Sequence, residues 1–176
     1  MKKELISIGE DYTHMLPIFR ELILKSGTRE KDNLVFAGCP GPCFSMATFF
    51  SSGLRDLNLN QYFAVDSDIH QLWKLEYAEN LGVIATTKEN PLKANVIVLM
   101  SGLCAIPIER TMDFIKESLV ADGVIIGEAP APGFFEGGDW AKKIPFHFLF
   151  EFSMKRPASY KISRIERLSP CASPKG

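Results

Sequence analysis

The chain has 176 residues, the length of one domain, and can bury roughly two thirds of the surface its unfolded form exposes, so no metal or ligand is needed to hold it together. Its hydrophobic fraction of 46% and charged fraction of 23% are those of an ordinary globular protein, and no apolar run approaches the ~18 residues that cross a bilayer. A formal net charge of −1 gives no footprint for nucleic acid, and the first residues lack the apolar run of a signal peptide. These observations predict a cytoplasmic protein that binds neither nucleic acid nor membrane, with its four cysteines kept as thiols, ligands or small core residues.

From the amino end, residues 8–25 carry an apolar stripe of Met15, Ile18, Phe19, Leu22 and Ile23, which predicts a covering helix that begins or kinks near Pro17. Residues 34–37 are an apolar run that predicts a buried strand, broken by Gly38, Cys39, Pro40, Gly41 and Pro42. After the break, Phe44, Ala47, Phe50 and Leu54 recur at helical spacing. A strand, a glycine turn and a helix start leave backbone N–H groups unpaired and aimed outward, which makes this turn the candidate site for an anion or nucleotide. The plain alternative is a β-α corner in which Gly and Pro serve only the turn.

Residues 62–65 predict a second strand ending at Asp66, about 23 residues past the turn and near the spacing of an acid that accepts both ribose hydroxyls. Leu72, Leu75, Ala78 and Leu81 suggest a helix over residues 69–81, capped by Ser67 or Asp68 and stopped at Gly82. A short third strand is expected at 82–86 and an unbroken apolar fourth at 95–100, ending in the loop Ser101-Gly102-Leu103-Cys104. Ile108, Met112, Ile115 and Leu119 predict the next helix, and residues 124–127 a fifth strand followed by Glu128 and a proline-rich loop. Residues 146–152 and 160–165 alternate, which predicts an antiparallel hairpin at the sheet edge, and 169–176 form a loose tail.

The expected architecture is a single α/β domain over residues 1–176, a Rossmann-like three-layer sandwich whose mainly parallel sheet is ordered 3-2-1-4-5 with an antiparallel edge hairpin. In that order the first and fourth strands are neighbours, so Gly38, Cys39, Gly41, Cys43, Asp66, Ser101 and Gly102 gather at the switch point as the candidate cofactor-binding set. Cys39, Cys43 and Cys104 form an alternative thiol cluster for metal or redox chemistry, with Cys43 favoured as a thiolate by its place at the helix start. Glu128, at the end of the fifth strand, is the general-base candidate, and the plain alternative is a solvated loop carboxylate.

The strand ending in Gly38-Cys39-Pro40-Gly41, the acid Asp66, the helix-free link between the third and fourth strands and the run from Leu119 to Ile126 resemble the class I S-adenosylmethionine-dependent methyltransferases. The resemblance implies S-adenosylmethionine or another adenosine-type small molecule as ligand, with Gly38 and Gly41 in its loop and Asp66 on its ribose. Phe36 stands where that family has an acid, and Pro40 replaces its second glycine. The whole chain is also similar to an archaeal family known mainly from methanogens, which implies a Rossmann-like fold and no particular activity. A non-catalytic binding subunit and an assembly of identical copies remain compatible with these residues.

Overall fold

The computed structural model describes residues 3–90 and 92–152. Its seven-stranded sheet runs in the order β4-β3-β2-β1-β5-β6-β7. The strands are β1 (Asn33–Gly38), β2 (Asn60–Val65), β3 (Leu72–Ala78), β4 (Gly82–Glu89), β5 (Ala94–Met100), β6 (Leu119–Ala129) and β7 (Phe148–Glu151). All neighbours from β2 to β7 pair in parallel, and β3 alone runs against them, between β2 and β4. The pairing of Leu34 with Val96 and Ala37 with Leu99 puts the first and fourth expected strands side by side, so the switch point exists.

Two cores follow from strand alternation, because successive side chains leave opposite faces of the sheet. Leu34, Phe36, Val96, Val98 and Ile126 meet α1 (Met15–Lys25) and α2 (Pro42–Ser52), which contribute Phe19, Leu22, Ile23, Ala47 and Phe50. Val35, Ala37, Ile97, Leu99 and Ile125 face α3 (Ile108–Ser118) and the segment around α4 (Trp140–Lys143), with Phe114, Phe135, Trp140 and Ile144. The result is an α/β domain of three layers. Pro17 falls in the first turn of α1, where its missing N–H is no loss, and a 3-10 turn at Tyr12–His14 precedes it.

Three expectations fail in placement. Residues 69–81 contain the strand β3 and not a helix. Leu72 and Leu75 are three apart, which puts them on one face of a helix but on opposite faces of a strand. The fold uses the second option: Leu72 joins the α3-side core and Leu75 the α2-side core. The antiparallel hairpin is accordingly β3-β4, at the edge beyond β2, so the expected third strand is separated from the second by β3. Third, β7 pairs with β6 in parallel rather than in a closing hairpin, while residues 160–165 and the tail 169–176 lie outside the described residues. On α3 the most buried positions are Thr111, Phe114 and Ser118, so its inner face is turned by about one residue from the expected stripe.

Candidate functional site

The carboxyl ends of β2, β1, β5 and β6 form one rim, and the turn after β1 lies at its centre. Gly41 has φ +88°, a left-handed conformation that a side chain would strain, and caps α2 without a side-chain hydrogen bond. Pro42 then takes the first helical position, and Ser45 N–H donates to Gly41 O at 2.9 Å. This geometry turns the chain within four residues and drops Cys43 back over the end of β1. A Cβ on Gly38 would lie 2.5 Å from the Cys43 Cβ, so only glycine lets helix and strand approach this closely.

The two thiols meet as a result. Cys39 and Cys43 sulfurs are 3.1 Å apart, in hydrogen-bond contact as free thiols. Gly102, at the start of the 3-10 turn Ser101–Ala105 after β5, presses on both: a Cβ there would stand 2.4 Å from the Cys43 sulfur and 2.5 Å from that of Cys39. Cys43 is buried, Cys39 half-buried, and Cys104 exposed on the same 3-10 turn. Among the described residues no three His, Cys, Asp or Glu side chains group closely enough to hold a metal ion.

Burial pushes the Cys43 thiol up to about 12, helped by the Cys39 thiol and opposed by the backbone N–H groups of Cys39 and Gly102. The expected stabilisation of a Cys43 thiolate at the helix start is therefore reversed, because the sulfur sits inside the core and loses more hydration than the helix end returns. Glu128 is 2% exposed and its carboxyl is pushed up to about 7 by burial, against a weak opposing bond from Ser101 N–H at 3.4 Å. Placed at the end of β6 opposite Met100, it lies within the protein and is not a solvated loop acid.

Asp66 sits beside the same turn. Its N–H donates to Gly38 O at 2.8 Å, which ties the end of β2 to the end of β1. Asp66 and Ser67 both adopt left-handed φ, +51° and +53°, and Asp68 N–H closes the turn on Val65 O. Such a pair of left-handed residues makes the tight turn that sends the chain straight back as β3. Asp68 caps this connection through His70 N–H and pairs with Arg110 at 3.3 Å, so it caps a turn and no helix. Ser67 is buried against Thr111 of α3, hydroxyl to hydroxyl at 3.2 Å. The sequence signal for that contact is slight: Thr111 lies three residues beyond Ile108 on neighbouring turns of α3.

The site thus gathers Gly38, Cys39, Gly41, Cys43, Asp66, Ser101, Gly102 and Glu128 on one rim and leaves Cys104 exposed at its side. A 690 Å³ groove lies elsewhere, between residues 3–7, α1 and β7, and a cavity of 140 Å³ opens at the other end of the sheet beside Asp32 and Asn95. Gly102→Ala should cost about 1–3 kcal/mol in urea unfolding, since neither short thiol side chain can swing clear of the added methyl. Removing one sulfur by Cys43→Ala in the Gly102→Ala background should recover part of that loss. Equal costs of Cys43→Ala in both backgrounds would contradict the contact.

No helix among the described residues is long and apolar enough to cross a membrane. A protein from Methanothermobacter thermautotrophicus, described as uncharacterized, is 28% identical over 139 residues, 74% of this chain and 82% of the relative. A crystal structure of a protein of unknown function from the same organism superposes with a TM-score of 0.78 at 22% identity, covering 92% of this chain and all of that one. Residues 12–155 match the family described as uncharacterized protein conserved in archaea (DUF2124), and the chain belongs to that family.

Proposed function

We propose that the protein is a dithiol protein whose working group is the Cys39–Cys43 pair. The observation that supports this reading is the 3.1 Å contact between a half-buried and a buried thiol, on a turn fixed by Gly38, Gly41 and two prolines. Two thiols held in contact need little movement to close a disulfide, so the pair suits exchange with a disulfide substrate RSSR. Cys39 is the thiol of entry. Its sulfur attacks RSSR, one RS⁻ leaves and is protonated, and Cys43 then displaces the second RS⁻ from Cys39. The balance is two protein thiols and RSSR giving one protein disulfide and two RSH.

Oxidation with excess oxidised glutathione should therefore remove two hydrogens from the protein, with the bond located by peptide mass analysis between Cys39 and Cys43. Cys39→Ser should abolish it and Cys104→Ser should leave it unchanged. A pair that stays reduced, or a bridge that uses Cys104, would sink the reading.

A second reading has its own support in the Asp66 N–H to Gly38 O bond, which sets an acid beside the glycine turn. An adenosine-type ligand, S-adenosylmethionine in a small-molecule methyltransferase, would place its ribose on Asp66 and its chain against Gly38, Gly41 and Ser101. Loss of a charge-assisted bond is worth about 1.5–3 kcal/mol, so Asp66→Asn should weaken such binding roughly ten- to a hundredfold. Calorimetry with S-adenosylmethionine, S-adenosylhomocysteine and adenine nucleotides tests this. No heat at millimolar concentration, or equal affinity in both proteins, removes it and leaves the thiol pair or a non-catalytic binding role.

A further inference from the structure

Among the described residues no cation meets the buried carboxyl of Glu128, which shares a layer with the thiol pair. Ile126 faces α1 and α2, so alternation sends Glu128 to the same side. Cys43 stands over Gly38 on that side, and Met100 lies between, in register with Glu128 and 3.2 Å from where a Gly38 Cβ would be. Two strand spacings of ~4.8 Å put about 10 Å between Glu128 and the end of β1. The loop after β5 meets both groups with consecutive residues. Ser101 N–H donates to Glu128 Oε2, and Gly102 packs against the Cys43 sulfur, which would lie 2.4 Å from a Cβ added there.

What faces this layer from its neighbours is almost wholly uncharged. β5 and the turn after it bring Met100 and the Ser101 N–H, the turn after β1 brings the Cys39 thiol and α2 that of Cys43, and β7 brings Phe150 with Phe19 of α1 against its ring. Glu151, the next residue on β7, is held by Lys3 and by Gly133 N–H. Arg20 and Glu21 of α1 are engaged with Asp56 and Lys25. Among the described residues no charged side chain contributes to the shift at Glu128, whose sources are burial and the Ser101 N–H.

From this arrangement we infer that the charge on Glu128 controls how readily Cys43 becomes a thiolate, and so sets the pH at which the Cys39–Cys43 disulfide closes. The inference rests on the dithiol reading. A second negative charge in the same water-excluded layer is opposed by the first. At about 10 Å and an effective dielectric constant of ~20 the opposition amounts to about tenfold in thiolate population. Glu128 acts through Cys43 and is a positioning residue. The step it governs starts from the mixed disulfide Cys39–S–S–R: Cys43 loses its proton to solvent and its thiolate attacks the Cys39 sulfur. The bond to SR breaks, and RS⁻ takes up a proton.

The test is the rate of that step against pH, read as glutathione released from the Cys39 mixed disulfide of full-length protein carrying Cys104→Ser and Cys171→Ser. The rate should rise tenfold per pH unit, flatten in part between about pH 7 and 8 as Glu128 ionises, and then resume its rise. With Glu128→Gln added the rise should run unbroken and be about tenfold faster at pH 8.5. A slower Gln variant would make Glu128 a proton acceptor instead, and coincident profiles would show no coupling; either overturns the inference while the disulfide stands. The flattening is expected in the protein that retains Glu128, so its absence there is decisive even if the Gln variant does not fold. A pair that closes at no pH overturns the dithiol reading and this inference with it.

Discussion

Phe50→Ala should destabilise the protein by about 3–5 kcal/mol, the largest single effect expected from a substitution in the α2 layer. Phe50 is fully buried on α2, with its ring centroid 4.5 Å from that of Phe19 and 5.5 Å from that of Phe150. Phe19 and Phe150 also contact each other at 5.2 Å, so the three rings join α1, α2 and β7 into one unit. Truncation removes the transfer free energy of the ring and leaves a cavity that two large aromatic neighbours cannot collapse to fill. Phe50→Leu retains much of the volume and should cost less than half as much. Urea unfolding measures both; a loss near 1 kcal/mol for the alanine variant would mean that the aromatic cluster does not tie the layers together.

The second large effect is on stability against pH. Glu128 has its folded pKa raised to about 7 from an ordinary 4.5, so the folded protein binds a proton more tightly than the unfolded chain does. Stability from this group is complete below about pH 4.5, declines as the pH rises, and is lost above about 7, where the buried carboxylate carries charge. A rise of about 2.5 in pKa, at about 1.4 kcal/mol each, amounts to about 3 kcal/mol. Glu128→Gln removes the titration and preserves the shape. It should leave stability nearly unchanged at pH 4.5 and raise it by up to about 3 kcal/mol at pH 8.5. An offset of the same size at both pH values would show that the effect is packing and not charge.

How much of this was legible in the sequence depends on whether a residue's role is local. The buried strands β1 and β5 are continuous apolar runs, and their neighbouring parallel pairing follows from the alternation of elements along the chain. The meeting of Cys39 and Cys43 at the turn after β1 follows from the strand-glycine turn-helix order, with left-handed Gly41 folding Cys43 back over the end of β1. In the sequence β3 resembles a helix because Leu72 and Leu75 have a helical interval. Which period they serve is decided by the two cores they fill, and those cores exist only after β2, α2 and α3 have assembled. The Asp66-Ser67 turn is not legible in the sequence, because two consecutive left-handed non-glycine residues carry little signal and Asp66 looks equally like a ligand for a ribose. Glu128 was visible as a carboxyl at a strand end, whereas its burial, which gives it chemical interest, depends on β7 and the loop at Ser101.

The β3-β4 hairpin also divides the chain into parts that assemble at different cost. Its innermost pair, Ala78 with Gly82, joins residues four positions apart across a turn with left-handed Asn80 and Gly82. β1 and β5, by contrast, pair Leu34 with Val96 across 62 positions (96 − 34). Loop-closure entropy makes the second pairing about 2 kcal/mol more expensive to initiate, and hairpins of the first kind close in roughly 1–10 μs. The reversed strand therefore gives the long insertion between β1 and β5 a foothold of its own, which shortens the free chain that must be ordered when the two central strands find each other.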